Sequence, residues 1–150
     1  MPVRSDPDGK YVIHWQPVPP GAHVLLAHDY THNLAVISNL DETVTQLDLH
    51  LQKAFVLSGT VLGADGRPIP DAGVELGMSL ETAGQMGALV GTGTHTNGAF
   101  SFYCLPHKGI YTVTIQAKGY TIGLKSGIQF TNELTDELHL PSFRLIPVGL

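Results

Sequence analysis

The chain has 150 residues, 43% of them hydrophobic and 14% charged, which gives enough length and apolar surface for one ordinary domain with a core. Its formal net charge of -5, with only eight scattered Lys and Arg residues, argues against a nucleic-acid partner, because phosphate contacts need clustered cations. No stretch approaches the roughly 18 apolar residues of a membrane span, and no apolar signal sequence follows Met1, so we expect no membrane insertion.

The first 52 residues predict three extended segments separated by turns. Residues 5–15 open with an Asp-Gly turn and pass into an alternating strand, which ends at the proline-rich residues 17–21. Residues 23–30, HVLLAHDY, resume extended structure. A terminal alternating strand follows, with these apolar residues: Val44, Leu47, Leu49 and Leu51.

The middle of the chain predicts two strands and a long glycine-rich hairpin. Residues 55–63 alternate as an apolar strand, and Asp65-Gly66 turns the chain toward a short strand that ends at Leu76. Two glycines weaken a helix over Leu80–Met86 by roughly 1 kcal/mol each. A hairpin loop with one strand at Ala88–Thr94 is therefore favoured.

The last third of the chain predicts a hairpin followed by further strands. Asn97-Gly98 is a two-residue turn signal, and the strand after it leads to the turn at Pro106–Gly109. A second alternating strand follows at once, and the final one, Leu138–Leu145, is interrupted by Pro141. Since no convincing amphipathic helix appears anywhere, the predicted class is all-β.

Alternation also predicts which aromatic side chains build the core. Phe100, Phe102 and Cys104 share one face of a strand, so the single cysteine is interpreted as a small buried hydrophobe. The core aromatics that the pattern predicts are Tyr11, Trp15, Phe100, Phe102 and Tyr111.

Two parts of the chain repeat one another. The turn at Asp8-Gly9 corresponds to Asn97-Gly98, and Ala27–Tyr30 corresponds to Ala117–Tyr120, with one residue inserted between the turn and this end. Residues 1–52 are thus predicted to be the C-terminal half of one copy, and residues 53–150 a complete copy. Because half a sandwich cannot bury its apolar face alone, the half-copy should pack on the full domain, exchange with a second chain, or take strands from elsewhere.

Residues 58–120 resemble the carboxypeptidase regulatory-like domain. The motif elements that carry the resemblance are Ser58-Gly59-Thr60-Val61, Ala64–Val74, Thr94–Phe102, Pro106–Tyr111 and Ala117–Tyr120. One departure is Asp65-Gly66, because the family more often has its Asp two positions before the Gly. The resemblance implies a prealbumin-like, Greek-key β-sandwich of about seven strands, with extra N-terminal strands from the partial repeat. It also implies accessory work in a larger exported or membrane-attached bacterial protein, and hence an extracellular or periplasmic location.

One cluster of residues has the spacing of a metal site. In a strand, His28, Tyr30 and His32 would share one face, and His23 or His50 would be the fourth ligand. Intradiol dioxygenases, which have a related sandwich, bind iron through two Tyr and two His. The favoured interpretation is nevertheless a polar cluster beside a turn, with Tyr30 packed in the core, so no metal and no cofactor are predicted.

Other catalytic patterns are missing from the sequence. No serine has a Gly-x-Ser-x-Gly context, and no glycine run has the lysine and helix of a phosphate-binding loop. The chain ends in PVGL and not in the Tyr-Arg-Gly-Ser of transthyretin-related hydroxyisourate hydrolases. We therefore predict that the protein is not an enzyme.

The first functional hypothesis is a non-catalytic accessory module that contacts neighbouring domains of a parent protein, or another copy of itself through the N-terminal half-repeat. The alternative is a carbohydrate- or peptide-binding module, which would expose a cluster formed by Trp15, Tyr103 or Tyr120. A small metalloenzyme of the dioxygenase type, using His28, Tyr30 and His32, is the second alternative.

Overall fold

The computed structural model describes residues 3–14, 23–40, 43–80, 87–130 and 136–149; Trp15, residues 17–21 and residues 81–86 lie outside this part of the chain. The described residues form strands and no helix, so none of them forms a helix that could cross a membrane. The strands are β1 His23–Asp29, β2 Leu34–Leu40, β3 Gln52–Lys53, β4 Phe55–Gly63, β5 Gly73–Ser79, β6 Gly87–Gly93, β7 Ala99–Leu105, β8 Ile110–Gln116, β9 Gly123–Ile128, β10 Glu137–His139 and β11 Phe143–Leu145.

Two four-stranded sheets face each other across the core. In the first sheet, β4 pairs antiparallel with β7 on one side and parallel with β10 and then β11 on the other. Pro141 lies between β10 and β11, where it interrupts one edge strand, because proline cannot donate to a ladder. The second sheet has the order β6-β5-β8-β9 and is antiparallel throughout. With β10 and β11 counted as one interrupted strand, the seven-stranded, prealbumin-like sandwich is confirmed.

The core follows the predicted alternation. Phe100, Phe102 and Tyr111 are buried, which confirms three of the predicted core aromatics. Tyr11 is only half-buried, and its hydroxyl donates a hydrogen bond to the carbonyl of Leu47. The largest fully buried side chains come from both sheets and include Leu57, Val61, Leu76, Met78, Phe100, Tyr111 and Ile115.

The glycine of the Ser-Gly-x-Val motif makes room for an aromatic ring of the neighbouring strand. Gly59 lies directly opposite Phe100 in the β4–β7 ladder. A Cβ atom at position 59 would lie 2.5 Å from Cζ of that ring, which is closer than two carbon atoms can approach. Glycine at this position therefore leaves the space that the Phe100 ring occupies beside β4.

Two further motif residues hold loops through buried hydrogen bonds. The Thr94 hydroxyl donates to the carbonyl of Ile69 at 2.7 Å and accepts from the amide of Ala72 at 2.9 Å. The Tyr111 hydroxyl donates to the carbonyl of Pro106 at 2.5 Å. These bonds fix the turn before β5 and the turn before β8, respectively.

The first and second halves of the chain contain the same turn. The amide of Gly9 donates to the carbonyl of Asp6 at 2.9 Å, and the amide of Gly98 donates to that of His95 at 2.8 Å. The two glycines have φ values of +83° and +78°, which residues with a Cβ rarely adopt. In each turn the amide of the first residue also donates a hydrogen bond to the carbonyl of the fifth residue. The distances are 2.8 Å from Asp6 to Lys10 and 2.9 Å from His95 to Ala99. This geometry agrees with the internal repeat.

Beyond that turn the first half differs from the prediction. Residues 10–14 and 43–51 are described but form no strand, so the strands predicted there are wrong for these residues. In the second half the corresponding segments, β7 and β10–β11, both pair with β4. The described residues of the first half include no equivalent of β4, so an extended segment there lacks a ladder to join.

A smaller sheet, β1-β2-β3, connects to the sandwich through Ala54. Ile37 of β2 is buried in the core cluster of the sandwich, and Val24 and Leu26 of β1 pack against that cluster. One face of the β1–β2 hairpin therefore lies on the sandwich of the same chain.

Cys104 lies under this hairpin. It is buried together with Ala35 and Ala54, and its Sγ atom lies 3.2 Å from the carbonyl oxygen of Leu34. Its φ of +59° accompanies a shift in the β4–β7 register, where two residues of β7 oppose one of β4. Cys104 is 2% exposed, which confirms the interpretation of this cysteine as a buried apolar residue. Burial also raises the pKa of its thiol.

Candidate functional site

The three residues with metal-ligand spacing do not converge. β1 ends at Asp29, so Tyr30 and His32 belong to a turn and the alternation that would bring three side chains to one face is broken. The His28 ring stacks on Tyr30 with centroids 4.9 Å apart, while Nδ1 of His32 lies 2.8 Å from a carboxylate oxygen of Asp29. Tyr30 is 72% exposed, so its predicted place in the core is wrong.

Each histidine of this trio has a different environment. Burial lowers the pKa of His28, because desolvation disfavours the charged form of the ring. The hydrogen bond from His32 lowers the pKa of Asp29. Among the described residues, no three His, Cys, Asp or Glu side chains are grouped so that they could hold a metal ion. His50 is exposed in the segment before β3, and the side chain of His23 is outside the description.

A serine, a glutamate and a histidine do meet on the outer face of the first sheet. The Ser58 hydroxyl donates to Oε1 of Glu137 at 2.9 Å, and Nδ1 of His139 lies 2.9 Å from the same hydroxyl. Ser58 is 6% exposed although it points away from the core, because β10 lies beside it. We call these three residues the β10 cluster.

The order of these groups determines what they can do. In a catalytic triad the histidine lies between the serine and the carboxylate, so that it can take the serine proton. Here the serine lies between the other two residues. Its hydroxyl donates its one hydrogen bond to the carboxylate, so it can only accept a hydrogen bond from the imidazole. The β10 cluster therefore ties β10 to β4 instead of activating a nucleophile.

Sequence reasoning missed the β10 cluster because its members are far apart in the chain. The sequence Asp136-Glu137 predicts a pair of solvated carboxylates. Asp136 is indeed exposed, and it forms an ion pair with Lys53 at 2.6 Å. The one available signal was that Glu137 and His139 alternate in a short strand and so share a face.

The second sheet has a shallow groove on its outer face. Its volume is about 420 Å³, and its lining comes from β5, β6 and β8: Gly73, Val74, Glu75, Gly91, Thr92, Thr114 and Gln116. Glu75 lies between Gly91 and Thr114 in the ladder, and Gly73 lies between Gly93 and Gln116. The glycines leave the backbone uncovered, so the groove presents a carboxylate, an amide and a hydroxyl above a flat floor.

A sugar-binding module would expose Tyr103 and Tyr120 in one cluster, but these two tyrosines do not share a surface. Tyr103 is 67% exposed and lies in β7 opposite Val56. Tyr120 packs against the core close to Gly63, at the other end of β4. Seven residues of extended chain separate these two levels, about 23 Å at 3.3 Å per residue. Trp15, the third of these aromatics, is outside the described residues.

The two packed sheets and the internal use of the motif side chains define a structural β-sandwich module. The family model of the carboxypeptidase regulatory-like domain matches residues 56–141, which is more than half of the chain. The protein belongs to this family. No curated protein matches the chain by sequence.

Solved structures share the fold at low sequence identity. A mutant of the shaft pilin spaA of Lactobacillus rhamnosus GG is 11% identical with a TM-score of 0.50, over 100% of this chain and 69% of that one. The 5-hydroxyisourate hydrolase of Klebsiella pneumoniae is 23% identical with a TM-score of 0.41, over 63% of this chain and 87% of the hydrolase. The 3-chlorocatechol 1,2-dioxygenase of Rhodococcus opacus 1CP is 13% identical with a TM-score of 0.44, over 63% of this chain. The present chain spans 59% of the length of that dioxygenase.

Proposed function

We propose that this protein is a non-catalytic accessory module of a larger exported or membrane-attached bacterial protein, and that it works in the extracellular or periplasmic space. One observation carries the proposal: the polar side chains of the family motif bind the protein itself. The Thr94 and Tyr111 hydroxyls are buried and bonded to backbone carbonyls, and Ser58 is bonded within the β10 cluster. Residues used in this way hold the sandwich together and leave no reactive group free among them.

The division of the chain is part of the same proposal. Residues 53–150 form the complete module, and residues 1–52 are half of a second copy. The shared turn geometry of the two halves supports this division. The module then offers a neighbouring domain or a second chain an incomplete sandwich to contact.

A second candidate function rests on the groove of the second sheet. Glu75, Thr114 and Gln116 supply the carboxylate, hydroxyl and amide groups that bind sugar hydroxyls or peptide backbone, above a floor that lets a ligand approach the sheet. A carbohydrate or an extended peptide would fit this surface, in keeping with the alternative hypothesis from the sequence.

One set of measurements on the full chain separates these functions. Metal content is measured by elemental mass spectrometry, and soluble oligosaccharides are titrated into isotope-labelled protein while backbone amide shifts are recorded. The accessory-module proposal expects no stoichiometric iron or zinc, and no saturable shifts around Gly73, Gly91 and Thr114. A content of about one iron or zinc ion per chain that is lost in the His28→Ala variant would overturn the accessory-module proposal and favour the metalloenzyme.

Saturable shifts at the groove would favour the second candidate function instead. The Glu75→Gln variant should then weaken binding, because a neutral amide has one acceptor oxygen instead of two and forms weaker hydrogen bonds than a carboxylate. Asp65→Asn is the matched control, since Asp65 is an exposed acidic residue in the turn after β4 and outside the groove.

A further inference from the structure

The two hairpins of the repeat differ at one edge. In the complete copy, β8 pairs with β9 on one side and with β5 on the other. In the half-copy, β1 pairs with β2 on one side, and no strand among the described residues pairs with its other side. The chain thus shows the same kind of hairpin twice, once with its second edge occupied and once with that edge unpaired by any strand of the described residues.

The open hairpin also has a second apolar face. Val24, Leu26 and Ile37 face the sandwich, so by alternation Leu25, Ala27 and Val36 face away from it. These three side chains remain only half-buried. A two-stranded hairpin that is apolar on both faces has more apolar surface than one packing partner covers.

The outer face of the second sheet is polar at its centre, unlike that of the hairpin. The outer face of β5 and β8 carries Glu75, Thr112, Thr114 and similar residues. Among the other edge strands, β6 contains three glycines and β9 carries an exposed Lys125 and a bulge with positive φ at Gly127, all of which discourage further pairing. A third, β7, lies beside the β1–β2 hairpin, which covers its Cys104. β1 has the sequence HVLLAHD, with no Lys, Arg, Pro or Gly to protect its edge.

We propose that the open edge of β1 accepts an extended strand from another protein chain, which adds antiparallel to the β1-β2-β3 sheet as β5 adds to β8. The occupant is defined by the strand that fills the equivalent place in the complete copy. β5 has apolar residues at alternate positions, Val74, Leu76 and Met78, and small or polar residues between them. An added strand of this pattern places its apolar side chains beside Leu25 and Ala27, while its backbone fills the ladder. This inference rests on the proposed function, because it names the kind of partner that the accessory module binds.

The test uses the full chain and a synthetic peptide that copies residues 71–80, DAGVELGMSL. The control peptide has the same composition with Val, Leu and Met placed side by side, so that it cannot present them on one face. We expect saturable amide shifts in β1 and β2 with the alternating peptide only, and slower hydrogen exchange for β1 amides in the complex. Leu25→Lys should weaken this binding by about tenfold or more, because it places a charge on the apolar face.

Leu124→Lys is the matched control variant, since it makes the same change on the edge strand β9, where the side chain is already 65% exposed. It should leave the peptide affinity unchanged. Protection of Cys104 from alkylation shows in each variant that the hairpin still lies on the sandwich.

Three results would overturn the proposal: shifts confined to the groove of the second sheet, self-association of the chain through β1, or no difference between the two peptides. Self-association or equal binding of the two peptides would leave the accessory-module proposal intact, because that proposal fails on stoichiometric metal or on saturable binding at the groove. The two failures are therefore distinguishable.

Discussion

The hydroxyl of Tyr111 illustrates how single polar groups stabilise this sandwich. The side chain is fully buried, and its hydroxyl is bonded to the carbonyl of Pro106, which is buried as well. In Tyr111→Phe the carbonyl loses its donor, so we expect the free energy of unfolding to fall by about 1–2 kcal/mol. Urea denaturation measures it, with the exposed Tyr103→Phe as control. Equal effects in the two variants would contradict this account.

The same residue makes stability depend on alkaline pH. Burial raises the pKa of the Tyr111 phenol above its ordinary value of 10.0. A folded pKa above the unfolded one means that its stabilisation is complete below pH 10 and is lost as the pH rises further, because only the unfolded state releases the proton there. We expect the loss of stability above pH 10 to be shallower in Tyr111→Phe. An unchanged slope in urea denaturation at pH 9–11 would count against it.

Gly59 provides a test of shape instead of hydrogen bonding. A methyl group at this position would meet the Phe100 ring, so Gly59→Ala should cost about 1–3 kcal/mol through displaced core side chains. Gly73→Ala is a suitable control in another strand, because the added Cβ would lie at an ordinary 3.7 Å from the carbonyl oxygen of Gln116. Thermal unfolding of both variants compares them, and a larger loss for the Gly73 variant would refute the steric argument.

At the scale of single residues, the sequence predicts which strand a residue belongs to better than it predicts which residues that residue contacts. The motif places a glycine in one strand and an aromatic residue in another, and both strands form as predicted. That Gly59 lies opposite Phe100 depends on the register of the two strands, which local patterns do not determine. The β10 cluster was missed for the same reason, since Ser58 and His139 are separated by 81 positions.

Among the elements, the β1–β2 hairpin depends most on packing against the rest of the chain. Its docking covers Cys104, whose thiol is buried beneath Ala35 and close to the carbonyl of Leu34. Because the raised pKa also reduces the thiolate at neutral pH, alkylation should be slow in the native protein and require the hairpin to open.

This dependence can be tested by weakening the hairpin. Ile37→Ala removes the hairpin's one buried side chain in the core cluster of the sandwich, so we expect Cys104 to be alkylated at least about tenfold faster, as loss of 1.4 kcal/mol of docking energy implies. Mass spectrometry follows the reaction at constant pH. Ile122→Ala, at a position that is 64% exposed, is the control. Equal rates in the two variants would show that the thiol is reached by another route.

The predicted elements that failed were those without a partner strand. Patterns in residues 10–14 and 43–51 resemble the strands of the complete copy, yet these residues remain irregular. A strand is stable only within a ladder, and β4, which provides that ladder in the second half, has no described equivalent in the first. Alternation therefore predicts the capacity to form a strand, and the neighbouring strands decide the outcome.

For the whole molecule, the unequal halves predict unequal stability. In the sandwich, side chains from both sheets are fully buried, whereas the described residues of the first half that face away from the sandwich are at best half-buried. Apolar burial is the main favourable term in folding, so the second half should hold most of the stability.

Removal of residues 1–52 tests this expectation directly. We expect residues 53–150 to unfold cooperatively, because their core is contributed by β4 to β11, but at a lower urea concentration than the full chain. The loss arises because Ala35 no longer covers Ala54 and Cys104, and because Ile37 no longer packs in the core cluster of the sandwich. Cys104 should also react with alkylating reagents at once in the shortened protein, while Tyr111 stays buried and its fluorescence native-like. If the shortened chain fails to fold, the half-copy is an essential part of one domain, and the division at residue 52 is wrong.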